Sequence, residues 1–474
     1  MDPLSLSFIT SATGGELWNA EATAMATGLS TDSRSLSKGD LFVALVGDRH
    51  DAHRFLSPEM GRVVAACLVE RARLGDEHVG MPLIQVDNSR EALGRLGSRY
   101  RDSFSLPMVG VTGSNGKTST KRFLETVLSA RFHVCASPAS FNNDIGVPLS
   151  LLKLDAQSTA GVFEIGTNHP GEIKPLVEMV KPTIGVMTSL GRSHLEFFGS
   201  VEAIADEKGW LAELLPAEGL FVVNGDMPHL DRVVDRVGAR VLKVGFGEQN
   251  DWVVRSEGMT TGGMDFSVTT SALGGCCHFH LPVIGRHHLI NVGLAMAVGY
   301  ELGLTTDELV RMTAQCTPSP MRVEWGSHGG VFVFDDTYNA NADSMTAALQ
   351  TLEGFPLAGA RWAVLGDMGE LGEFSAACHR EIGQVAADLG IDHVVGVGEW
   401  ANEVCAAARR GGVKSTRPFA AAGEVLPWLE PQLSAGDGIL LKASRSTGLD
   451  HLASSLRDQL EQRSEHREES VKPL

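Results

Sequence analysis

Gly110-Val-Thr-Gly-Ser-Asn-Gly-Lys-Thr-Ser119 is the stretch on which the reading of this chain turns. It follows an apolar run, Leu106-Pro-Met-Val-Gly-Val111, and leads into Lys121–Leu128, where Phe123, Leu124, Val127 and Leu128 recur at helical spacing. Strand, glycine loop and helix in that order make a phosphate-binding loop. Gly113 and Gly116 let backbone N–H groups close on phosphate oxygens, and the helix N-terminus adds a positive dipole. The binding set is then Gly113, Ser114, Asn115, Gly116, Lys117, Thr118 and Ser119. Lys117 would reach the β- and γ-phosphates, and the Thr118 hydroxyl would take a place on Mg²⁺. The usual spacing puts the first glycine where Val111 stands, so this loop is one residue longer, with glycines at 110, 113 and 116. The reading is an ATP site; an ordinary glycine turn before a helix is the alternative.

Outward from this loop, the 474 residues suffice for two to four domains with substantial cores. A hydrophobic fraction of 43% and a charged fraction of 21% are those of a globular protein. Fifty-three glycines exceed the usual share of about 7%, as many strand-to-helix turns would require. Forty basic against 58 acidic residues leave a net charge of −18, which argues against nucleic acid or an anionic membrane as a partner. No apolar run is long enough to span a bilayer. The seven cysteines lack a CxxC or Cys/His metal spacing and read as thiols in a reducing compartment. A cytoplasmic monomer is expected.

The pattern divides into three α/β units. Residues 1–104 form a small one, with apolar runs at Leu41–Leu45, Val63–Ala66 and Leu83–Val86. Its most pointed segment is Thr31-Asp-Ser-Arg34, where Ser33 and Arg34 at a turn could bind a diphosphate or serve only as capping and surface charge. Residues 105–317 hold the phosphate loop, and the runs Val162–Ile165, Thr183–Met187 and Leu220–Val223 alternate with helical patterns, the signature of a parallel sheet. A strand-rich patch at 251–284 and a helix at 289–302 complete this unit. Residues 318–462 repeat the α/β pattern in Rossmann-like fashion, with strands at Val331–Phe334, Trp362–Leu365, Val394–Val397 and Ile439–Lys442. The charged segment 463–474 reads as a disordered tail.

Beyond the loop, Glu164 stands within an apolar strand, where a carboxylate is costly unless it pairs or holds a cation. It can be the acidic Mg²⁺ partner of the phosphate loop, or a carboxylate at an exposed strand end. His194 follows the Thr183–Leu190 strand at the end where open α/β sheets place ligands. Lys208, in Ala205-Asp-Glu-Lys-Gly209, reads on its own as solvated helix charge. Asp335-Asp-Thr-Tyr-Asn-Ala-Asn341 closes one strand and opens a helix, as a ribose or amine site or as helix capping.

Together these segments resemble the Mur ligase family, ATP-dependent amino-acid ligases of bacterial cell-wall precursor synthesis. The loop G-V-T-G-S-N-G-K-T matches the family's extended version, and the resemblance runs from Asp32-Ser-Arg34 to Ser444-Arg445. Four segments narrow it to the branch that adds a dipeptide: Phe141-Asn-Asn-Asp-Ile-Gly-Val-Pro148, Asp336–Asn341 with Ser344-Met345, Leu365-Gly-Asp-Met-Gly-Glu-Leu-Gly372, and Lys442-Ala-Ser-Arg445. The resemblance implies ATP, two Mg²⁺ ions, and UDP-N-acetylmuramoyl-tripeptide and D-alanyl-D-alanine as substrates, joined through an acyl phosphate. It implies that Lys117, Glu164, His194 and Lys208 carry catalysis, and that Thr118, Glu164, His194 and a carbamylated Lys208 hold metal. Asn291 would meet adenine, and Arg322 and Asp336 the ribose and phosphates. Ser33 and Arg34 would bind UDP, Asn142 and Asn143 the UDP-sugar peptide. Tyr338, Asn339, Asn341, Ser444 and Arg445 are further substrate-binding candidates. Three positions depart from the family: His288 stands for an asparagine, Ala342 for a proline and Ser140 for an asparagine. Another ligase of the family, a folylpolyglutamate-type ligase, or a P-loop ATPase that spends hydrolysis on conformational change are the rival readings.

Overall fold

The computed structural model describes residues 1–471 apart from 48, 49, 76, 77 and 79, with side chains as far as Arg463. Three large sheets carry the chain, beside a two-stranded pairing of Leu4–Ser5 with Met25–Ala26. The first has the strand order Glu16–Trp18, Leu83–Val86, Ala66–Glu70, Asp40–Val43, Gly28–Ser30, parallel except where Glu16–Trp18 joins. The apolar run expected as a strand at Val63–Ala66 is displaced. The N–H groups of Val63 and Val64 both turn back to the Met60 carbonyl, so the strand starts at Ala66.

The second sheet has nine strands. From one edge they are Gly275–Leu281, Gly263–Thr270, Trp252–Thr260, Arg240–Gly245, Leu220–Asn224, Ile184–Met187, Met108–Thr112, Ala160–Glu164 and Val134–Ala136. The last seven are parallel, and the strand-rich patch forms the antiparallel extension. Met108–Thr112 lies inside the sheet, between Ile184–Met187 and Ala160–Glu164, and is buried along its whole length, which is why its sequence is continuously apolar rather than alternating. Phe123, Leu124 and Val127 of the Lys117–Leu128 helix pack on one face with Val292, Ala295 and Met296 of the Arg286–Glu301 helix. Leu176, Val177, Leu211 and Ala212 cover the other.

The third sheet runs Glu324–His328, Val331–Asp336, Gly438–Lys442, Arg361–Gly366, His393–Val397, Ser415–Phe419, parallel but for its first pair. Its apolar layer includes Leu195, Ile204 and Ile284 of the central unit beside Met345, Leu349 and Met368, so the second and third units share a packed seam. The carboxyl ends of the central strands and of Val331–Asp336 and Gly438–Lys442 meet across one cleft. The closing helix spans Leu449–Val471, running through the segment expected to be a disordered tail. Gln, Arg and Glu are strong helix formers, and that propensity outweighs the tail's lack of apolar residues; residues 472–474 lie outside the described residues. Among the described residues no helix is long and apolar enough to cross a membrane.

Candidate active site

The phosphate loop is stitched to the turn after the Ile184–Met187 strand. Ser114 N–H donates to the Ser189 carbonyl (2.8 Å), Asn115 N–H to Ser189 Oγ (2.9 Å), and Ser114 Oγ to the Gly191 carbonyl (3.0 Å). Gly113 has φ 148°, and a side chain there would strike Thr188 Oγ1 at 2.0 Å. Gly116 has φ 83°, caps the Lys117–Leu128 helix, and leaves no room for a methyl group beside Asn291 Oδ1 (2.6 Å). The glycines are thus required by the fit of the loop against Thr188 and Asn291 as well as by its dihedrals. Lys117 Nζ donates to the Gly113 carbonyl at 2.7 Å, and burial lowers its pKa against the pull of Glu164.

The cleft has a volume of about 460 Å³, within the range of small-molecule sites. From the central unit it is lined by Ser114–Ser119, Ser140, Asn142, Glu164, His194 and Asn291; from the third, by Arg322, Asp336, Tyr338, Asn339, Asn341, Glu370 and Lys442. Glu164 ends its strand 1% exposed. Asn142 Nδ2 donates to Oε1 (2.8 Å), Lys121 Nζ stands 3.8 Å from Oε2, and Oε2 accepts no hydrogen bond among the described residues. It is not a carboxylate at an exposed strand end.

Lys208 is not solvated helix charge. It is 1% exposed, and its Nζ has no hydrogen-bond partner among the described residues. Burial first, and the Lys117 cation second, drive its pKa well below the ordinary lysine range, with Glu207 opposing. Glu207 is itself engaged, accepting from the N–H groups of Gly171 (2.9 Å) and Ile173 (2.8 Å) at the start of the Ile173–Val180 helix. His194 opens the Leu195–Phe198 helix in a left-handed conformation, φ 57°, and its Nδ1 is hydrogen-bonded to Glu370 Oε2.

Across the cleft, buried Asp336 pairs with buried Lys442 at 2.7 Å. Burial raises the Asp336 pKa, and Lys442 opposes the rise. Arg322 lies over the Tyr338 ring at 4.1 Å. Asn341 caps the Ala342–Gly354 helix and exchanges amide hydrogen bonds with Asn115 (2.9 and 3.3 Å), tying the third unit to the phosphate loop. Three departures become legible. Ser140 Oγ lies 3.3 Å from Thr118 Oγ1. Ala342 occupies the first helical position, where a residue without a cap duty suffices. His288 is buried, its Nε2 has no hydrogen-bond partner among the described residues, and burial holds it neutral beside Asn291.

Several expected site residues lie outside the residues that line the cleft. Ser33 and Arg34 are in the first unit, where the Arg34 side chain is 87% exposed and pairs with Asp32 at 2.8 Å. That guanidinium lowers the Asp32 pKa to about 2. Asn143 Oδ1 accepts from Gly146 N–H (2.8 Å), and Ser444 Oγ accepts from Gly369 N–H (2.8 Å). Arg445 is exposed, 3.8 Å from Asp450. Conversely, Lys121, Arg192, Asp343, Glu370 and Lys442 were not singled out as site residues. The stretches Leu365–Gly372 and Lys442–Arg445 held two of them, but nothing in their spacing gave them partners.

Among the described residues no three His, Cys, Asp or Glu side chains converge as a metal cage. What the cleft does offer is the Glu164 Oε2 oxygen, the Thr118 hydroxyl and the His194 imidazole; the buried Lys208 amine lies outside the residues that line it. So few protein donors, two of them oxygens, suit Mg²⁺, which takes few protein ligands and completes its shell with phosphate and water.

Two family models match the chain: the Mur ligase middle domain over residues 111–299, and the Mur ligase, glutamate ligase domain over residues 321–445. The UDP-N-acetylmuramoyl-tripeptide–D-alanyl-D-alanine ligase of Escherichia coli (strain K12) is 33% identical over 463 residues, covering 97% of this chain and 99% of that protein. Among solved structures, MurF from Acinetobacter baumannii aligns with a TM-score of 0.87 at 29% identity, over 97% of this chain and 99% of the other. MurF ligase from Thermotoga maritima in complex with ADP aligns with a TM-score of 0.82 at 28% identity, over 92% and 99%.

Proposed function

This chain belongs to the Mur ligase family, and from that premise we propose that it joins D-alanyl-D-alanine to UDP-N-acetylmuramoyl-tripeptide with ATP as the energy source. The observation that carries the reading is one cleft in which the phosphate loop of the second unit faces Arg322, Asp336 and Lys442 of the third. The tripeptide carboxylate is a poor acyl donor until one oxygen bears a good leaving group. Its attack on the γ-phosphate gives an acyl phosphate and ADP; the free amine of the dipeptide then adds to the carbonyl and phosphate departs. Two anions meet in the first step, so Lys117 at the loop and Arg322 opposite are suited to draw off the developing charge. The docked third unit excludes water that would hydrolyse the acyl phosphate.

Thr118, Glu164, His194 and a modified Lys208 would hold Mg²⁺. The ions would supply charge neutralisation along the triphosphate. The state of Lys208 supports carbamylation: only a neutral amine adds to CO₂, and burial beside Lys117 favours the neutral form. The nitrogen lone pair forms the N–C bond, one C–O π bond opens, and the nitrogen gives up a proton, leaving an anion where a cation would be costly. Asn291 fits the base, and Ser33 and Arg34 of the first unit, residues 1–104, fit UDP. ATP would sit on residues 105–317 and the dipeptide beside residues 318–462. A monomer in the cytoplasm completes the proposal.

The test is a mass-spectrometric acceptor screen with purified protein, UDP-sugar peptides and ATP. A product heavier by one dipeptide residue, with phosphate release dependent on both acceptor and dipeptide, is expected. Phosphate release without either would turn the reading to an ATPase switch, and incorporation of a single amino acid to another ligase of the family.

A further inference from the structure

The loop Met368–Gly372 belongs to the third unit and makes contacts on the second as well. On its own side it is pinned by Met368 N–H to His379 Nε2 (3.0 Å) and Gly369 N–H to Ser444 Oγ (2.8 Å). Across the seam the Glu370 carbonyl accepts from Glu196 N–H (3.0 Å), and a side chain on Gly372 would press on Glu196 at 3.3 Å. The Glu370 carboxylate reaches His194 Nδ1. Both residues of this pair adopt the left-handed region, φ 57° at His194 and 58° at Glu370. Such a conformation costs a non-glycine residue of order 1 kcal/mol, and two meeting in one contact across two units mark a place where geometry is held for a purpose.

The contact fixes chemistry as well as orientation. A carboxylate can only accept, so Nδ1 carries the proton and the Nε2 lone pair is left free. Nε2 makes no hydrogen bond among the described residues, and His194 lines the cleft with Lys117 and Glu164. We propose that Glu370 is the positioning residue of His194: supplied by the third unit, it sets the tautomer and rotamer in which Nε2 can bind a divalent cation, so the second unit's metal site is complete only when the third is docked. This rests on His194 being a metal ligand. Removing such an outer partner typically costs about 10–100-fold in metal affinity.

The experiment uses the full chain with Mn²⁺ and a non-hydrolysable β,γ-imido ATP analogue, read by pulsed electron paramagnetic resonance for ¹⁴N coupling to manganese. Wild type should show histidine nitrogen coupling. Glu370→Ala should lose most of it, with Mn²⁺ affinity lower by about 10–100-fold, while melting temperature and X-ray scattering radius stay at wild type, because the backbone contact to Glu196 remains. Glu370→Gln, whose amide oxygen can still accept from Nδ1, should retain the coupling in large part. Full coupling and affinity in Glu370→Ala would overturn the positioning role while leaving His194 a ligand. Absence of nitrogen coupling in wild type, with His194→Ala binding Mn²⁺ as tightly, would remove the metal-ligand reading itself and this proposal with it.

Discussion

Lys208 carries the sharpest contrast between what one residue suggests and what its setting makes of it. Alone it is a charged residue at a helix end. Yet Ile204 and Ala205 lie four and three residues before it and Leu211 three after, all buried, so Lys208 shares the helix's apolar stripe. The signal was present at helical spacing, and the expectation of solvation for lysine concealed it. Because its pKa falls on folding, the unfolded chain binds more protons at neutral pH, and stability should rise as pH climbs toward the ordinary lysine value of about 10.4. Lys208→Met removes a buried amine with no partner while keeping its volume. In chelated, CO₂-depleted buffer this variant should melt at or above the wild-type temperature at pH 7, with the gain fading above pH about 10, and should be inactive in ligation. A melting temperature several degrees lower would mean that the amine has a stabilising partner after all.

At the scale of elements, the phosphate loop is the part most dependent on having no side chains. Gly116→Ala would force a methyl group against Asn291 Oδ1 in a left-handed backbone. ATP-analogue binding measured by calorimetry should weaken by more than tenfold, with a stability loss of about 1–2 kcal/mol; near-native binding would mean the loop moves away from Asn291 at no cost. Such elements were legible because period and context agreed. Met108–Thr112, Ala160–Glu164 and Ile184–Met187 read as buried strands from continuous apolar runs, and the Arg286–Glu301 helix was found to within three residues. Val63–Ala66 misled because apolar residues also fill the turn before a strand. The helix to Val471 was missed because low hydrophobicity was taken to rule out order. In the site, Lys117 and Glu164 were legible from spacing to a loop and from a charge within an apolar run. Asp343, Glu370 and Lys442 were not, since each is defined by a partner more than 100 residues away.

At the scale of the whole molecule, function depends on separate units meeting. Arg34 lies in the first unit, exposed and outside the cleft. Arg34→Ala should therefore weaken UDP-sugar peptide binding by about ten- to a hundredfold while leaving the KM for ATP unchanged; equal loss for both substrates would put the two sites in one unit. The second and third units are joined more firmly. The Arg192 guanidinium donates to Asp343 Oδ1 (Nε 3.0 Å, Nη2 2.8 Å) and forks onto the two oxygens of Glu381 (Nη1 2.6 Å, Nη2 2.9 Å), and the Arg192 backbone N–H donates to Asp343 Oδ2 at 2.7 Å. Both carboxylates stand on helices of the third unit, and a planar guanidinium held by two of them fixes orientation as well as proximity. Lysine has no planar fork, so Arg192→Lys should retain one contact at most. Beneath the clamp, Leu195, Ile204 and Ile284 form an apolar seam with the third unit that resists separation by a different force. If the clamp governs docking, Arg192→Ala should expand the molecule in X-ray scattering and lower kcat by about tenfold or more, with both losses steepened by salt in Arg192→Lys. The wild-type radius and turnover in Arg192→Ala would assign docking to the apolar seam alone, and the Arg192 forks would then be a consequence of closure rather than its cause.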